Sequence, residues 1–323
     1  MNGLFDYTAV IRTLGTAGEK YQTLLNSLVA QTIKPKDIIV YIAEGYSIPK
    51  ETVGIERYVY VKKGMVAQRA LLYDEIETEY ILCLDDDLEF PSNSVESMFQ
   101  LLKKYNADVI SPDIFPNAQR SLKSEFMMTF SGRMRARRND DVWGYKVMNN
   151  GGYSYNKNPE RDVYFSQTNA GACFLCRKND FLRINFWEEL WLDKMKYPIG
   201  EDQLMYFKMY YSGLKQLTWY THQFAHLDAG GNMTKEKVCM RLYGDVYFKI
   251  VFWHRFIFLP NEAWIKKIWS LLSVFYYLLF TLTISIFRCD IKVLKAKWNA
   301  IIDAIKFICS VEYKLLPLIV KKV

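Results

Sequence analysis

The sequence has no internal repeat, no low-complexity stretch and no paired C-x-x-C motifs. Its six cysteines are scattered, at 83, 173, 176, 239, 289 and 309, and only Cys173 and Cys176 form a C-x-x-C. With Phe174 and Leu175 between them and no second pair to complete four ligands, they read as part of a buried strand carrying reduced thiols, not a zinc knuckle. The opening residues, Met1 to Tyr7, lack the charged-then-apolar layout of a secretory signal. No zinc finger, helix-turn-helix pattern or other nucleic-acid module is present, which sets nucleic acid aside as a partner.

Half of the 323 residues are apolar and about a sixth aromatic, so the chain folds around one large core or two modest ones. The net charge of +7 is unevenly distributed. Residues 1–234 hold 27 Lys and Arg against 29 Asp and Glu, whereas residues 235–323 hold 15 against 6. A basic, aromatic-rich final quarter suits an anionic membrane surface.

Periodicity divides the chain the same way. Strand-like runs at Tyr7–Ile11, Asp37–Ile42, Tyr58–Val61 and Tyr80–Leu84 alternate with helical spacing at 18–30 and at Val66–Ile76. This β-α-β order predicts a mostly parallel sheet with helices on both faces, a Rossmann-like α/β fold. A helix over Asn93–Tyr105 and a strand over Asp108–Ser111 follow. From Phe115 to Phe165 Gly, Asn, Tyr and Arg dominate, which fits short strands and loops. Arg133, Arg135, Arg137 and Arg138 there form a basic run, either a solvated face or a contact for an anionic acceptor. Asn169–Arg177 reads as a core strand, and Glu201–Ser212 as a helix ended by Gly213.

Ile268 to Phe287 carry no charge, with Lys266 and Lys267 before them and Arg288 after. The length suits a membrane span. A crossing from the cytosol would carry the later lysines outward, against the positive-inside tendency. Ile291–Ile308 mixes lysines with an apolar face, as an interfacial helix does. A tail lying in the cytoplasmic leaflet is therefore favoured over a single span or a tail packed on its own soluble core.

Two acidic features carry chemistry. Asp85-Asp86-Asp87 close the apolar run Tyr80–Leu84, and parallel sheets bind ligands just beyond the carboxyl ends of such strands. Three carboxylates together call for a cation, and a hard divalent ion that also bridges phosphates is the natural one; the alternative is a solvated acidic turn. Gly200-Glu201-Asp202 opens the later helix, either as an ordinary acidic helix start or as a general base on a rigid element. A metal-loaded acidic site plus a separate carboxylate is what sugar transfer from a nucleoside diphosphate requires.

In order, the strand Tyr7–Thr13, the segment Ser27-Leu28-Val29-Ala30-Gln31-Thr32, Pro35, the strand ending in Ala43-Glu44-Gly45, Gly64 through Arg69-Ala70, Asp85-Asp86-Asp87 and Glu201-Asp202 resemble a family 2 glycosyltransferase of the GT-A fold. The resemblance covers roughly the first 230 residues, with a helical membrane-associated tail over 235–323. It implies a nucleotide-sugar pocket lined by Thr13, Glu44, Arg69, Asp85 and Asp86, with Asp85 and Asp87 as the acids of a D-x-D motif. It also implies Mg²⁺ or Mn²⁺ held by Asp87, Asp202 as the catalytic base and Glu201 on the acceptor side. His226 falls where related enzymes place a further metal ligand, or is an ordinary structural histidine. The implied partners are a nucleoside-diphosphate sugar and a glycan or lipid-linked acceptor, at the cytoplasmic face of the membrane, in bacterial surface-polysaccharide synthesis. Arg12-Thr13 stands where the family has a proline-threonine pair, and Ala43-Glu44 where it has paired aspartates. No Q-x-x-R-W is present, which favours single-sugar transfer over polymerisation. Aromatic faces for sugar stacking are offered by Trp143, Tyr145, Tyr153, Tyr155, Trp187 and Trp191. The rival readings are a GT-A-like nucleotidyltransferase, for which Leu14–Lys20 offers only two glycines and a lysine, and a catalytically silent membrane-bound scaffold.

Overall fold

The structure, a computed structural model, describes residues 5–114, 121–135, 142–156, 158–227 and 233–319. Arg137 and Arg138 of the basic run lie outside the described residues. The apolar strand β1 (Tyr7–Thr13) is buried over almost its whole length. Beside it lie β2 (Asp37–Ala43), then β3 (Glu56–Val61), and on its other flank β4 (Tyr80–Asp85), all parallel. Gly18, with φ 62°, turns the chain into α1 (Glu19–Val29). The spacing of Tyr21, Leu24, Leu25 and Leu28 puts them on one face, which packs on the sheet.

The expected helix over Val66–Ile76 does not form; the segment is a series of turns. The Asp193 carboxylate accepts the Val66 and Ala67 amides, each at 2.9 Å, and Tyr73 sits in the left-handed region at φ 55°. A left-handed aromatic ends helical propagation. The turns also bury Arg69 instead of leaving it on a helix surface.

After β4 come β5 (Leu88–Glu89), α2 (Ser94–Tyr105), β6 (Val109–Pro112), α3 (Leu122–Phe130), the hairpin β7 (Tyr145–Val147) and β8 (Tyr153–Tyr155), and β9 (Val163–Ser166). Then follow β10 (Cys173–Arg177), α4 (Lys178–Leu182), a 3₁₀ segment Phe186–Lys194, α5 (Glu201–Tyr211), β11 (Gln216–Trp219) and β12 (Ala225–His226). The main sheet has the order β3-β2-β1-β4-β10-β6-β11-β9, with β10 antiparallel to both its neighbours. The chain runs outward from β1 to β3 and returns on the other side at β4. That reversal opens a crevice at the carboxyl ends of β1 and β4.

One face of the sheet is covered by α1 and α2. The other packs on α5, α6 (Lys235–Phe252), a π-helical turn Trp253–Phe258 and α8 (Ile291–Cys309); Phe174, Tyr206, Phe252, Phe256 and Ala304 share one cluster. Cys173 and Cys176 point to opposite faces of β10 and lie in different clusters.

Helix α7 (Trp264–Phe287) inverts the usual amphipathic arrangement. Its buried stripe is Ser270, Val274, Tyr277, Thr281 and Ser285, while Trp269, Leu272, Phe275 and Leu279 face out. Lys297 of α8 is buried against that stripe and donates to Thr281 Oγ1 at 3.0 Å and Ser285 Oγ at 2.9 Å.

Candidate active site

The β1–β4 register places Arg12 directly beside Asp85 at the sheet's edge. Arg12 Nε donates to Asp85 Oδ1 at 2.5 Å, and Arg12 Nη2 to Asp85 Oδ2 at 3.2 Å. Arg69 approaches the same carboxylate at 3.5 Å. Burial would raise the Asp85 pKa, but the two guanidinium groups outweigh it and hold the carboxyl below its usual range. Asp85 is therefore held as a carboxylate paired with Arg12 and Arg69, and it also lines the crevice. Asp86 differs: burial, and then the charges of Asp87 and Asp85, push its carboxyl up although Thr13 Oγ1 donates to it.

Asp87 is buried, and its Oδ2 faces His226 Nε2 at 3.1 Å. The local fold requires this meeting. β5 and β12 pair antiparallel with His226 opposite Leu88, and the Leu227 amide donates to the Asp87 carbonyl at 2.9 Å. A carboxylate oxygen and an imidazole nitrogen directed at each other suit a divalent cation whose remaining ligands are water and phosphate. Among the described residues no group of three or more His, Cys, Asp or Glu gathers for a metal, so the chain supplies only part of a coordination shell.

These residues line a cavity of about 840 Å³. It holds Thr13, Asp85, Asp86, Asp87 and His226 on one side, with Arg12, Lys20 and Lys63 as its cations. Glu44 stands exposed just beyond β2 and is not among the lining residues. Gln68 lines the cavity and donates to the Thr13 carbonyl at 3.2 Å. Asp193 also lines it while fixing the turn at 66–67. Gly64 is needed there, because a Cβ would strike the Asp193 carboxylate. Neither Gln68 nor Asp193 is legible from the sequence, since their partners are distant in the chain.

A second cavity, of about 720 Å³, opens at the start of α5. Glu201, Asp202, Tyr153, Arg133, Arg241 and Lys249 are among its lining, and Met65 belongs to both cavities. Gly200 (φ 91°) precedes α5 and permits the sharp entry. Asp202 is one-third exposed, while Glu201 is buried with Arg12 Nη2 at 3.6 Å from its Oε1. Burial and the adjacent Asp202 raise the Glu201 pKa to about 7, against the pull of Arg69 and Arg12.

Arg69 ties an acid of one cavity to an acid of the other. Its Nη1 donates to Asp202 Oδ1, its Nη2 donates to the Gly171 carbonyl at 2.9 Å, and it reaches Asp85 from the other side. Arg69 thus lies beneath the site and does not line the larger cavity. Gly171 has no room for a Cβ, which would collide with the Asp202 carboxylate. Helix α5 is itself fixed from below. Glu189, fully buried, accepts from Lys208 of α5 at 3.1 Å and from Arg255 of the π-helical turn at 2.8 Å.

Of the aromatic candidates, Tyr145, Tyr153 and Tyr155 line the second cavity. Trp191 is buried against Phe307, and Trp187 is exposed.

A sheet-end crevice with an acidic turn, and a separate carboxylate at a helix start beside it, is the layout expected of the GT-A fold. Residues 21–155, under half of the chain, match the model of glycosyl transferase family 2. No curated protein sequence matches the chain significantly. Among solved structures, a crystal structure of Staphylococcus aureus TarS is similar at TM-score 0.51 and 12% identity, covering 96% of this chain and 50% of that one. A structure of TarS residues 1–349 with UDP-GlcNAc gives TM-score 0.48 and 13% identity, over 93% and 81% of the two chains. The first of these likenesses concerns the fold alone.

Proposed function

We propose that the chain is an inverting, metal-dependent glycosyltransferase that moves one sugar from a nucleoside-diphosphate sugar to a hydroxyl of a glycan or lipid-linked acceptor. The donor occupies the cavity of Asp85–Asp87, and the acceptor occupies the cavity of Asp202. The observation that carries this reading is the Arg69 bridge, which holds Asp85 and Asp202 on opposite sides of one buried guanidinium where the cavities meet at Met65.

Each residue then has a chemical task. Asp202, fixed by Arg69 and by the start of α5, takes the proton of the acceptor hydroxyl as that oxygen attacks the anomeric carbon. Glu201, with its raised pKa, is a hydrogen-bond donor to the acceptor or to its neighbour near neutral pH. Thr13 and Gln68 shape the base and ribose side, while Lys20 and Lys63 face the diphosphate. Asp87 and His226 would hold Mg²⁺ or Mn²⁺, with Asp86 adding negative charge alongside. Such an ion supplies charge neutralisation of the departing diphosphate.

The inverted helix α7 supports association with the cytoplasmic face of a membrane, and with it a role in surface-polysaccharide synthesis. The most apolar 18-residue window of Trp264–Phe287 has a mean hydropathy of 1.9, yet only 28% of it is buried. Large apolar side chains outward and small hydroxyl residues inward suit lipid outside and protein inside. Because its inner stripe packs on α8 and the core, α7 lies on the bilayer as part of a monotopic tail formed by residues 235–323.

The test is a panel of nucleotide sugars assayed by thermal stabilisation with and without Mn²⁺. At a hundredfold excess over Kd, a bound donor adds about 2.7 kcal/mol. Asp87→Ala is expected to remove the metal-dependent part of that shift. Stabilisation by no nucleotide sugar, or an unchanged shift in EDTA, contradicts the donor assignment.

A further inference from the structure

We infer that helix α3, which belongs to the catalytic part of the chain, is a second membrane contact and seats in the same anionic lipid surface as α7. The inference rests on the membrane reading of α7 and adds to it a point of contact outside the tail of residues 235–323.

Packing within the chain does not account for α3. The helix is nine residues long, and helices shorter than about 12–15 residues are marginal in water unless an apolar face is buried. None of its nine residues is buried. Its large apolar residues instead recur every four positions, at Leu122, Phe126 and Phe130, and all three are more than half exposed. That spacing sets them on one side of the helix. The Phe126 and Phe130 rings stack on each other with centroids 6.0 Å apart. The other side meets the protein: Glu125 Oε1 accepts from Asn158 Nδ2 at 3.4 Å, and Met128 lines the cavity of Asp202. An apolar ridge turned outward is the reverse of a helix that faces water.

The ridge runs directly into α7. Tyr276 Oη donates to the Phe130 carbonyl at the free end of α3, and the Phe130 ring packs edge-on against Phe280 with centroids 5.5 Å apart. Beyond that contact Trp269, Leu272, Phe275 and Leu279 carry the exposed apolar surface along α7. A continuous apolar patch on two helices marks an interaction surface. Lys123, Lys266 and Arg288 stand exposed near the helix ends. Apolar side chains with tryptophan among them and cations at the rim match an anionic bilayer surface.

The second contact has a mechanical consequence. Helix α7 alone would leave the catalytic part free to roll about that helix's axis, and α3 removes this rotation. Because Met128 sits on the inner side of α3, seating α3 also sets the height of the Asp202 cavity above the lipid.

The experiment uses the full chain with vesicles of phosphatidylglycerol and phosphatidylcholine in equal parts. Affinity is read by flotation, and backbone protection by hydrogen exchange. In the unsubstituted chain residues 122–130 are expected to become protected on vesicle binding together with 264–287. Leu122→Asp with Phe126→Asp should lower vesicle affinity at least tenfold, as should Leu272→Asp with Phe275→Asp, while β1 and β4 stay as protected as before. Release by the α7 pair alone, with 122–130 exchanging as in the free chain, overturns the inference and leaves the membrane reading of α7 standing. Release by neither pair overturns both. Protection of 122–130 that rises with protein concentration in the absence of vesicles assigns the ridge to a second copy of the chain and likewise overturns the inference.

Discussion

Replacing Arg69 with Met removes the charge between the two cavities while keeping most of the side chain's volume. Arg69 is buried, and its charged form is held by Asp202, Asp85 and Glu201 even though burial alone disfavours it. Breaking a buried ion pair from one side costs about 3–5 kcal/mol, because the partner is left uncompensated. Asp85 retains Arg12, and Asp202 is one-third exposed, so the loss lies at the low end, about 3 kcal/mol. At about 1.5 °C per kcal/mol for a chain of this length, the melting temperature falls by roughly 4–5 °C. The double substitution Arg69→Met with Asp202→Asn removes the orphaned charge as well. It should recover about 1–3 kcal/mol relative to the sum of the single effects. Urea unfolding of the four proteins measures the coupling. Additivity within about 0.5 kcal/mol would refute the claim that Arg69 fixes the base.

Glu201 makes stability depend on pH. Its folded pKa of about 7 lies above the ordinary 4.5, so the folded state keeps a proton that the unfolded chain has released. Stability is full below about pH 4.5, falls as pH rises to about 7 by on the order of 3 kcal/mol, and is flat above, as far as this group is concerned. Glu201→Gln should flatten that slope; an unchanged profile between pH 5 and 8 would remove Glu201 as its source. Glu189→Ala strands Arg255 in the core, while Lys208 keeps Glu188 at 2.8 Å, and should cost about 3 kcal/mol, read by denaturant unfolding. A cost under 1 kcal/mol would show that α5 is held by packing alone.

The strands were legible because their apolar runs are short and bounded, and β4 ends at Asp85 as the pattern of Tyr80–Leu84 requires. Glu201 and Asp202 were legible for the same local reason, an acidic start before a helical run. The helix expected over 66–76 failed because its fate depends on Asp193, far along the chain. The resemblance gives Asp87 to the metal and Asp85 and Asp86 to the nucleotide sugar, but no local pattern names their partners in the fold. The register of β1 against β4 separates them, giving Asp85 to Arg12, Asp86 to Thr13 and Asp87 to His226. Likewise, the uncharged run at 268–287 announced an apolar helix. Only the packing of Ser270, Thr281 and Ser285 inward reveals which side meets protein.

The central claim is that Asp202 acts on an acceptor beside a donor held by a different set of residues. The most direct test compares Asp202→Asn with the unsubstituted chain, using one donor identified by thermal stabilisation and measuring both donor affinity and sugar transfer to an acceptor extract. Donor affinity is expected within about twofold and transfer reduced by about 10²–10⁴, the usual worth of a general base. Transfer at the unsubstituted rate would contradict it.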